Sequence, residues 1–282
     1  MAVSASSSVQ QARQVLADRL GEIRRDAGLT GRDIARLCGW HASKSSRIEN
    51  ARTPPSADDI RAWCAACGAE GRTADLIASL RAVEGTWIEW RRMERAGLRQ
   101  AQEARLPLYE RTRRFRSYSS WLVPGLIQTR GYTTAALRAI QQRRGLVDDV
   151  ADAVEARMER QRVLHQGDRR FAFLVEESVL RSGIGGSEVM VGQLAHLITV
   201  GSFPNVSMGV IAMRPDRARW PVEGFWLYDT AQVNVELVSG YLTITQPSEV
   251  TMYAETFAEL AESAVYGSDA RALITAAMDA LG

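Results

Sequence analysis

The stretch from Leu29 to Pro55, LTGRDIARLCGWHASKSSRIENARTPP, constrains this chain more than any other. It reads as two short helices joined by a tight turn. Thr30 is a favoured helix N-cap, and Asp33 three residues on completes a Thr-x-x-Asp capping box. The first helix runs to Cys38, with Ile34, Leu37 and Cys38 at the three-and-four spacing of a half-buried face. Gly39 sits where the chain must turn, because glycine tolerates positive φ at little cost. Ala35 is small enough for two crossing helices to approach each other. The second helix begins near His41, carries Ser43, Lys44, Ser46, Arg47 and Asn50 outward, and is anchored inward by Ile48. This is the helix-turn-helix pattern, whose second helix enters the DNA major groove by its N-terminal end.

Reading a base edge requires short donor-bearing side chains on a helix whose N-terminus also attracts phosphate. Ser43 and Lys44 fall in the first turn, next to His41, and Arg47 lies one turn later on nearly the same face. Arginine can hold guanine O6 and N7 together, worth roughly 1–3 kcal/mol of discrimination. Ala42 offers apolar contact with a thymine methyl. Thr30, Arg32, Ser46, Asn50 and Arg52 are placed for phosphates, which set register without reading sequence. The competing reading of the pattern is a protein–protein helix pair. Lys44 is the one lysine among 35 basic residues, and by itself fits a solvated side chain in an arginine-rich chain equally well.

Charge divides the chain. Residues 1–116 hold 21 basic and 14 acidic residues, net +7, and residues 117–282 hold 14 and 19, net −5. A basic front and an acidic rear fit a DNA-binding head joined to a body with another task. The densest basic run, Arg91 to Arg116, has nine arginines against three glutamates and reads as a solvated helix face. With 46% hydrophobic and 24% charged residues, the 282-residue chain is of globular composition and long enough for a small and a medium domain. No stretch approaches the roughly 20 apolar residues of a membrane span, and MAVSASSSVQQ lacks the basic and apolar regions of a secretory signal. Cys38, Cys64 and Cys67 are too few for a disulfide framework and fit a reducing cytoplasm.

Residues 1–8 read as a disordered lead-in. A helix over 9–27, the helix-turn-helix, a Ser56-capped helix from Ala57 to Cys67 and a fifth helix from Thr73 make a five-helix domain over 9–82. Ile60, Trp63, Cys64 and Cys67 form the buried stripe of the fourth helix. A charged helix over 85–105 reads as the centre of a connector, 83–106. The body, 107–282, opens with an extended segment at 119–125 and helices at 129–143 and 148–166. Phe171 to Val175 is a buried strand, and a helix over 187–200 turns Val191, Leu194, Leu197 and Ile198 inward. Short strands at 206–213, 224–229, 233–238 and 241–245, with a hairpin turn at Ser239-Gly240, precede helices at 247–264 and 268–281. The expected fold is an all-α helix-turn-helix N-terminal domain followed by an α+β C-terminal domain with an antiparallel sheet.

An enzyme would have to use His165, His196, Glu176, Glu177, Asp216 or Glu236, and no nucleophile elbow, phosphate loop or metal spacing accompanies them. Adjacent residues on a strand point apart, so Glu176-Glu177 reads as a cap or a partner contact. Cys64-Ala65-Ala66-Cys67 has redox or zinc spacing, but lacks a second pair and a strand-to-helix setting. Buried core is its default reading and a thiol sensor its alternative. Trp220-Pro221 and Phe225-Trp226-Leu227-Tyr228 read first as sheet core. With Glu176 they are also where a ligand or partner would be sought. The expectation is no enzyme, no cofactor and no metal.

The head resembles the xenobiotic-response-element, or lambda-repressor-like, family of DNA-binding domains, through Ser46-Arg47-Ile48-Glu49-Asn50 followed by Pro54. In the body, Pro124-Gly125-Leu126-Ile127-Gln128-Thr129-x-x-Tyr132, Arg157-x-x-Arg160-Gln161, Glu176-Glu177-x-x-Leu180-Arg181, Gln193-Leu194-x-x-Leu197 and Pro204-Asn205-Val206 occur in one order. That order is similar to the Scr1-family antitoxin-like transcriptional regulators, and the resemblance covers residues 10–280. It implies a regulatory body and a small partner protein encoded nearby. Against the family pattern, Gly31 replaces a glutamine, His41 a Ser or Thr cap, Ala42 a base-reading glutamine, Ser45 a buried Val or Ile, and Ala51 a glycine. Asp216-Arg217-Ala218-Arg219 stands where a Gly/His-rich turn is expected.

These observations point to a cytoplasmic, sequence-specific regulator of double-stranded DNA. A homodimer is expected, because one short recognition helix covers only a few base pairs, and the body would sense a small partner protein or a ligand. Two alternatives stay open. One is an antitoxin-like module that mainly sequesters the partner, and the other is a small-molecule-gated repressor.

Overall fold

The computed structural model describes residues 5–82, 87–89, 94, 97–214, 216–217, 219–238 and 240–281. The chain divides into two compact units, residues 1–86 with 243–250, and residues 87–242 with 251–282.

The first unit is built on five helices: α1 (Ala5–Asp26), α2 (Gly31–Leu37), α3 (Ala42–Glu49), α4 (Ala57–Ala66) and α5 (Thr73–Ala82). Leu16, Leu20 and Ile23 recur every three or four residues on α1, so they share one face, and they meet Ile34, Ile48, Ile60, Trp63 and Leu76 in one core. Trp63 is 1% exposed, and its indole N–H donates to the Leu20 carbonyl at 3.1 Å, which satisfies the one polar atom of that ring. Two expectations change. Residues 5–8 of the supposed lead-in belong to α1, while 1–4 lie outside the described residues. Leu37 is 54% exposed, and Ala35 takes its place in the core at 3%.

The second unit has a seven-stranded sheet in the order β1-β7-β6-β5-β2-β3-β4. Its strands are β1 (Trp87–Glu89), β2 (Arg114–Ser119), β3 (Arg170–Glu176), β4 (Val206–Ile211), β5 (Phe225–Tyr228), β6 (Gln232–Glu236) and β7 (Gly240–Ile244). The helices are α6 (Leu98–Glu103), α7 (Leu106–Arg111), α8 (Arg130–Arg144), α9 (Val150–Gln161), α10 (Glu177–Arg181), α11 (Ser187–Val200), α12 (Pro247–Glu262) and α13 (Gly267–Asp279). The α+β class is as expected, and the sheet is mixed. β5 runs antiparallel to β2 and β6, but β2 pairs parallel with β3 (Phe115 opposite Phe171) and β3 parallel with β4 (Phe173 opposite Met208). Parallel neighbours need a crossover of a dozen residues or more. Residues 120–169 supply one with α8 and α9, and residues 177–205 supply the other with α10 and α11.

Three further expectations are corrected here. Residues 87–89 of the supposed connector helix form a strand antiparallel to β7, and the described helix of that region is only Leu98–Glu103. Of the Arg91–Arg116 run, Arg91, Arg92 and Arg95 lie outside the described residues and Arg99 and Arg111 are exposed on helices, but Arg116 departs from a solvated helix face: it lies on β2, 8% exposed, with its guanidinium donating to the Asp229 carbonyl at 2.7 Å. Val191 points outward on α11, and Met190, Gln193, Leu194, Leu197 and Val200 are the buried side. Of the Ser239-Gly240 turn, Ser239 lies outside the described residues.

Between β2 and α8 the chain runs mostly buried through Val123 to Thr129, irregular apart from a single 3-10 turn at Gly125–Ile127, and its other backbone polar groups have no ladder to join. Side chains satisfy them. Gln128 donates to the Val123 carbonyl at 2.7 Å, and Gln161 donates to the carbonyls of Gly125 (2.9 Å) and Gln128 (2.8 Å). Gln193 accepts from the Thr129 N–H at 2.7 Å and donates to the Ile127 carbonyl at 2.8 Å. Gln193 is fully buried, so Gln193→Ala strands a donor and an acceptor. We expect that variant to lose about 2–4 kcal/mol in the unfolding transition of the body, read as a lower urea midpoint at unchanged slope.

Candidate nucleic-acid interface

The turn of the helix-turn-helix is fixed at both ends. Thr30 caps α2 through its hydroxyl, which accepts from the Asp33 N–H at 3.2 Å, and the Asp33 carboxylate returns to the Thr30 N–H at 2.9 Å. Gly39 adopts φ +68°, and the Trp40 N–H closes back on the Ala35 carbonyl at 2.7 Å. His41 then caps α3 with its Nδ1, which accepts from the Ser43 N–H at 3.3 Å and lies 2.8 Å from the Ser43 hydroxyl. At the far end Ala51 stands in the left-handed region (φ +51°), and the N–H groups of Arg52 and Thr53 both reach the Arg47 carbonyl. The departure at Ser45 is compensated. That side chain is buried, and its one hydroxyl proton is shared between the Gly31 carbonyl at 2.9 Å and the Ala42 carbonyl at 3.0 Å.

Ala42, Ser43, Ser46, Arg47 and Asn50 are exposed on α3, and Thr30, Arg32 and Arg52 are exposed beside it. Arg32, Arg47 and Arg52 show no side-chain hydrogen bond or ion pair to the described residues. Other residues are already engaged. The Thr30 hydroxyl donates to Asp33 at 2.6 Å, and the Asn50 amide donates to the Ser46 carbonyl at 2.7 Å. Lys44 is held most firmly: its ammonium donates to Asp59 at 2.6 Å and lies 4.5 Å from the centre of the Trp40 ring. The motif's Glu49 is engaged as well. Arg24 of α1 donates to it at 2.6 and 3.0 Å and also to the Leu29 carbonyl at 2.6 Å, tying α1 to α3 and to the segment that leads into α2. The Ser-Arg-Ile-Glu-Asn string flagged Glu49, but nothing local marked Arg24 as its partner.

The cysteines are free. Burial pushes all three thiols up, Cys67 to about 11, so the electropositive activation that a thiol sensor needs is missing.

In the body, the proposed contact residues separate. Trp220 is 76% exposed. Glu176 is buried in a two-pronged ion pair with Arg217 (2.6 and 2.8 Å) and accepts from the Tyr118 hydroxyl at 2.8 Å. Glu177 opens α10, accepting from Arg181 and from the Met213 N–H at 2.9 Å. Phe225 and Trp226 line a cavity of about 710 Å³. Tyr228 lies behind them, its ring stacked 6.1 Å from Trp226. Arg157 and Arg160 of α9 reach the same cavity, beside Pro124, Gly125 and Gln128 of the irregular segment.

Residues 15–77 match the model of a helix-turn-helix domain, and residues 105–276 match that of a domain of unknown function, DUF5753. The chain belongs to the DUF5753 family. No curated protein matches it. A solved structure of TrmBL2, an archaeal chromatin protein described as showing a novel mode of DNA binding, is 12% identical over 89% of this chain and 99% of that one. Its TM-score of 0.33 does not establish a common fold. The match to DUF5753 spans every body motif from Pro124 to Val206. Among the described residues no helix is long and apolar enough to cross a membrane, and no group of three or more metal-ligating side chains is present.

The head's two capping aspartates give it an acid sensitivity. Thr30 holds Asp33 below its ordinary 3.8. Burial opposes ionisation of Asp59, but Lys44 and Ser56 outweigh it and hold that group below 3.8 as well. A depressed folded pKa contributes stability that is present above 3.8 and lost as pH falls through the folded value. The urea midpoint of the head should therefore drop between pH 5 and pH 3, and by less in Asp59→Asn. An equal drop in both proteins would refute the role of Asp59. Lys44→Ala should cost the head about 1 kcal/mol through the lost ion pair and ring contact, whereas Arg47→Ala should leave its stability within about 0.5 kcal/mol.

Proposed function

We propose that this protein is a sequence-specific DNA-binding transcriptional regulator, working in the cytoplasm as a homodimer. The supporting observation is the exposed row on α3, where Ala42 and Ser43 stand in the first turn of a capped helix and Ser46 and Arg47 follow in the next. Arg47 is the base reader of that row, with Ser43 beside it and Ala42 placed for a thymine methyl. Arg32 and Arg52 set register on phosphates. Lys44 and His41 support this surface from behind by holding the first turn of α3, and Lys44 reads a base only after releasing Asp59. Two-fold related heads would take half-sites about one helical turn, ~34 Å, apart.

The body's task in this reading is to sense a small partner protein or ligand, in the manner of the Scr1-family antitoxin-like regulators whose motif order it resembles. Three of those motifs, around Gln128, Gln161 and Gln193, gather at the 123–129 segment beside the cavity, which supports a ligand role for that place.

Binding to the protein's own upstream region should weaken by roughly a thousandfold between 50 and 200 mM salt if a dimer engages about six phosphates. Across an operator library, Arg47→Ala should relax base preference at a cost of roughly 1–3 kcal/mol, and Arg52→Ala should weaken all sequences alike. Salt-insensitive binding, or identical library profiles for the two variants, would overturn this assignment.

A further inference from the structure

The body's cavity has an unusual wall. Five arginines line it, Arg105, Arg143, Arg144, Arg157 and Arg160, against two carboxylates, Glu94 and Glu236. Both carboxylates are paired, Glu94 through Oε1 with its Oε2 buried and unpartnered. Arg144 donates to Glu94, and Arg105 donates to Glu236 at 3.3 Å. Arg157 and Arg160 make no ion pair with any described residue. Arg157 donates to the side-chain oxygens of Gln102 (3.1 Å) and Gln128 (2.8 Å), and Arg160, 2% exposed, donates to the Gln102 carbonyl at 3.3 Å. The Arg160 Nε is buried with no partner.

The two guanidiniums converge. A Cβ placed on Gly125 would lie 3.7 Å from Nη2 of Arg160 and 3.9 Å from Nη1 of Arg157, so both groups come within 4 Å of one point. Two like charges in a partly dry site repel each other and lose hydration, and neutral amides and carbonyls compensate this only in part. The strain registers on Arg157, whose pKa burial and the guanidiniums of Arg160 and Arg105 push down to about 9. A guanidinium keeps its proton at neutral pH, and Arg160 also lies over the Tyr109 ring, 4.9 Å from its centre, so both groups are cations with no ion-pair partner among the described residues. Gly125 also keeps the approach clear, since any side chain there would lie against both groups.

Most of the remaining wall is aromatic and aliphatic, including Tyr118, Trp121, Phe225, Trp226 and Leu137, with two glutamines and two serines as its neutral polar members. A volume of about 710 Å³ is of the size that holds a small organic molecule.

We infer that this cavity binds an aromatic oxyanion, a planar apolar body carrying a carboxylate, sulfonate or phosphate, with Arg157 and Arg160 as the anion clamp. The assignment rests on the reading that the body senses a ligand and names the chemical class of that ligand.

The test uses the full chain without DNA, so a failure of DNA recognition cannot be mistaken for a failure here. The probe is 8-anilinonaphthalene-1-sulfonate, followed by its fluorescence enhancement and by quenching of tryptophan emission. Its comparator is N-phenyl-1-naphthylamine, which has the same rings and no sulfonate. The expected result is one saturable site per chain, at least about tenfold tighter for the sulfonate, with Arg157→Met weakening the sulfonate about tenfold and leaving the neutral comparator unchanged. Ala136→Phe narrows the cavity from α8, whereas both arginines stand on α9, and should abolish binding of both probes. Near-UV circular dichroism identifies any variant that has failed to fold, and the comparison of the two probes on the unmodified protein stands without it. Equal affinity for the charged and neutral probes, or no saturable binding, would overturn the assignment. Retention of sulfonate binding by folded Arg157→Met would do the same.

Discussion

The second unit depends on how the irregular segment from Val123 to Thr129 has its polar backbone satisfied. A buried stretch outside helix or sheet would leave carbonyls and N–H groups unpaired, each costing on the order of 1–3 kcal/mol. Here glutamine amides from α9, α11 and the segment itself take those places, because a primary amide both donates and accepts. Three motifs far apart in sequence, around Gln128, Gln161 and Gln193, become one structural unit. The same unit carries Arg157 to Gln128 and leaves Gly125 against the guanidiniums, so the cavity wall is set by the backbone that the glutamines hold.

The head solves a different problem with shorter-range means. Its four helices after α1, of seven to ten residues, are too short to persist alone, and caps and a shared core hold them. Substitutions at the usual positions are absorbed locally. A histidine nitrogen replaces a hydroxyl at the cap of α3, and a serine hydroxyl shared by two carbonyls replaces a branched apolar side chain beneath it. The outer row of α3 is left free because Arg24, Lys44 and Ser45 make these bonds inward or sideways.

What could be read beforehand follows from the range of each signal. Capping residues and glycine turns act within four residues, so Thr30, Gly39 and Ser56 declared the head's elements directly. Seven residues are too few to fix which flank of α2 faces inward: Ala35 is buried at the close crossing its size suggested, while Leu37 is left outside. Strand β2 was hidden because RFRSYS continues an arginine-rich run, and only the tertiary partner Asp229 shows why Arg116 lies inside. Parallel pairing of β2, β3 and β4 is a property of the crossovers and leaves no mark on any one strand. The arginine clamp did leave one. Val150, Ala153 and Val154 form the buried stripe of α9, and Arg157, Arg160 and Gln161 continue it at the same three-and-four spacing. An apolar stripe that runs on into arginines implies cations facing the interior.

Charge arrangement then distinguishes the two anion-binding surfaces assigned to this chain. Residues 117–282 are net −5 even though four of the cavity arginines are counted among them. Residues 87–116 of the same unit are net +5 and offset this, so the body's outward field is weak. That field is screened beyond ~8 Å at physiological salt, whereas charges inside a partly dry cavity are screened much less. A small oxyanion is thus held by contact and apolar fit rather than drawn in by long-range steering. The head works the other way: Arg32, Arg47 and Arg52 are exposed in a region of net positive charge, where neutralised phosphates release counterions and affinity falls steeply with salt. The same residue type serves both surfaces, and its depth of burial decides which anion each one takes.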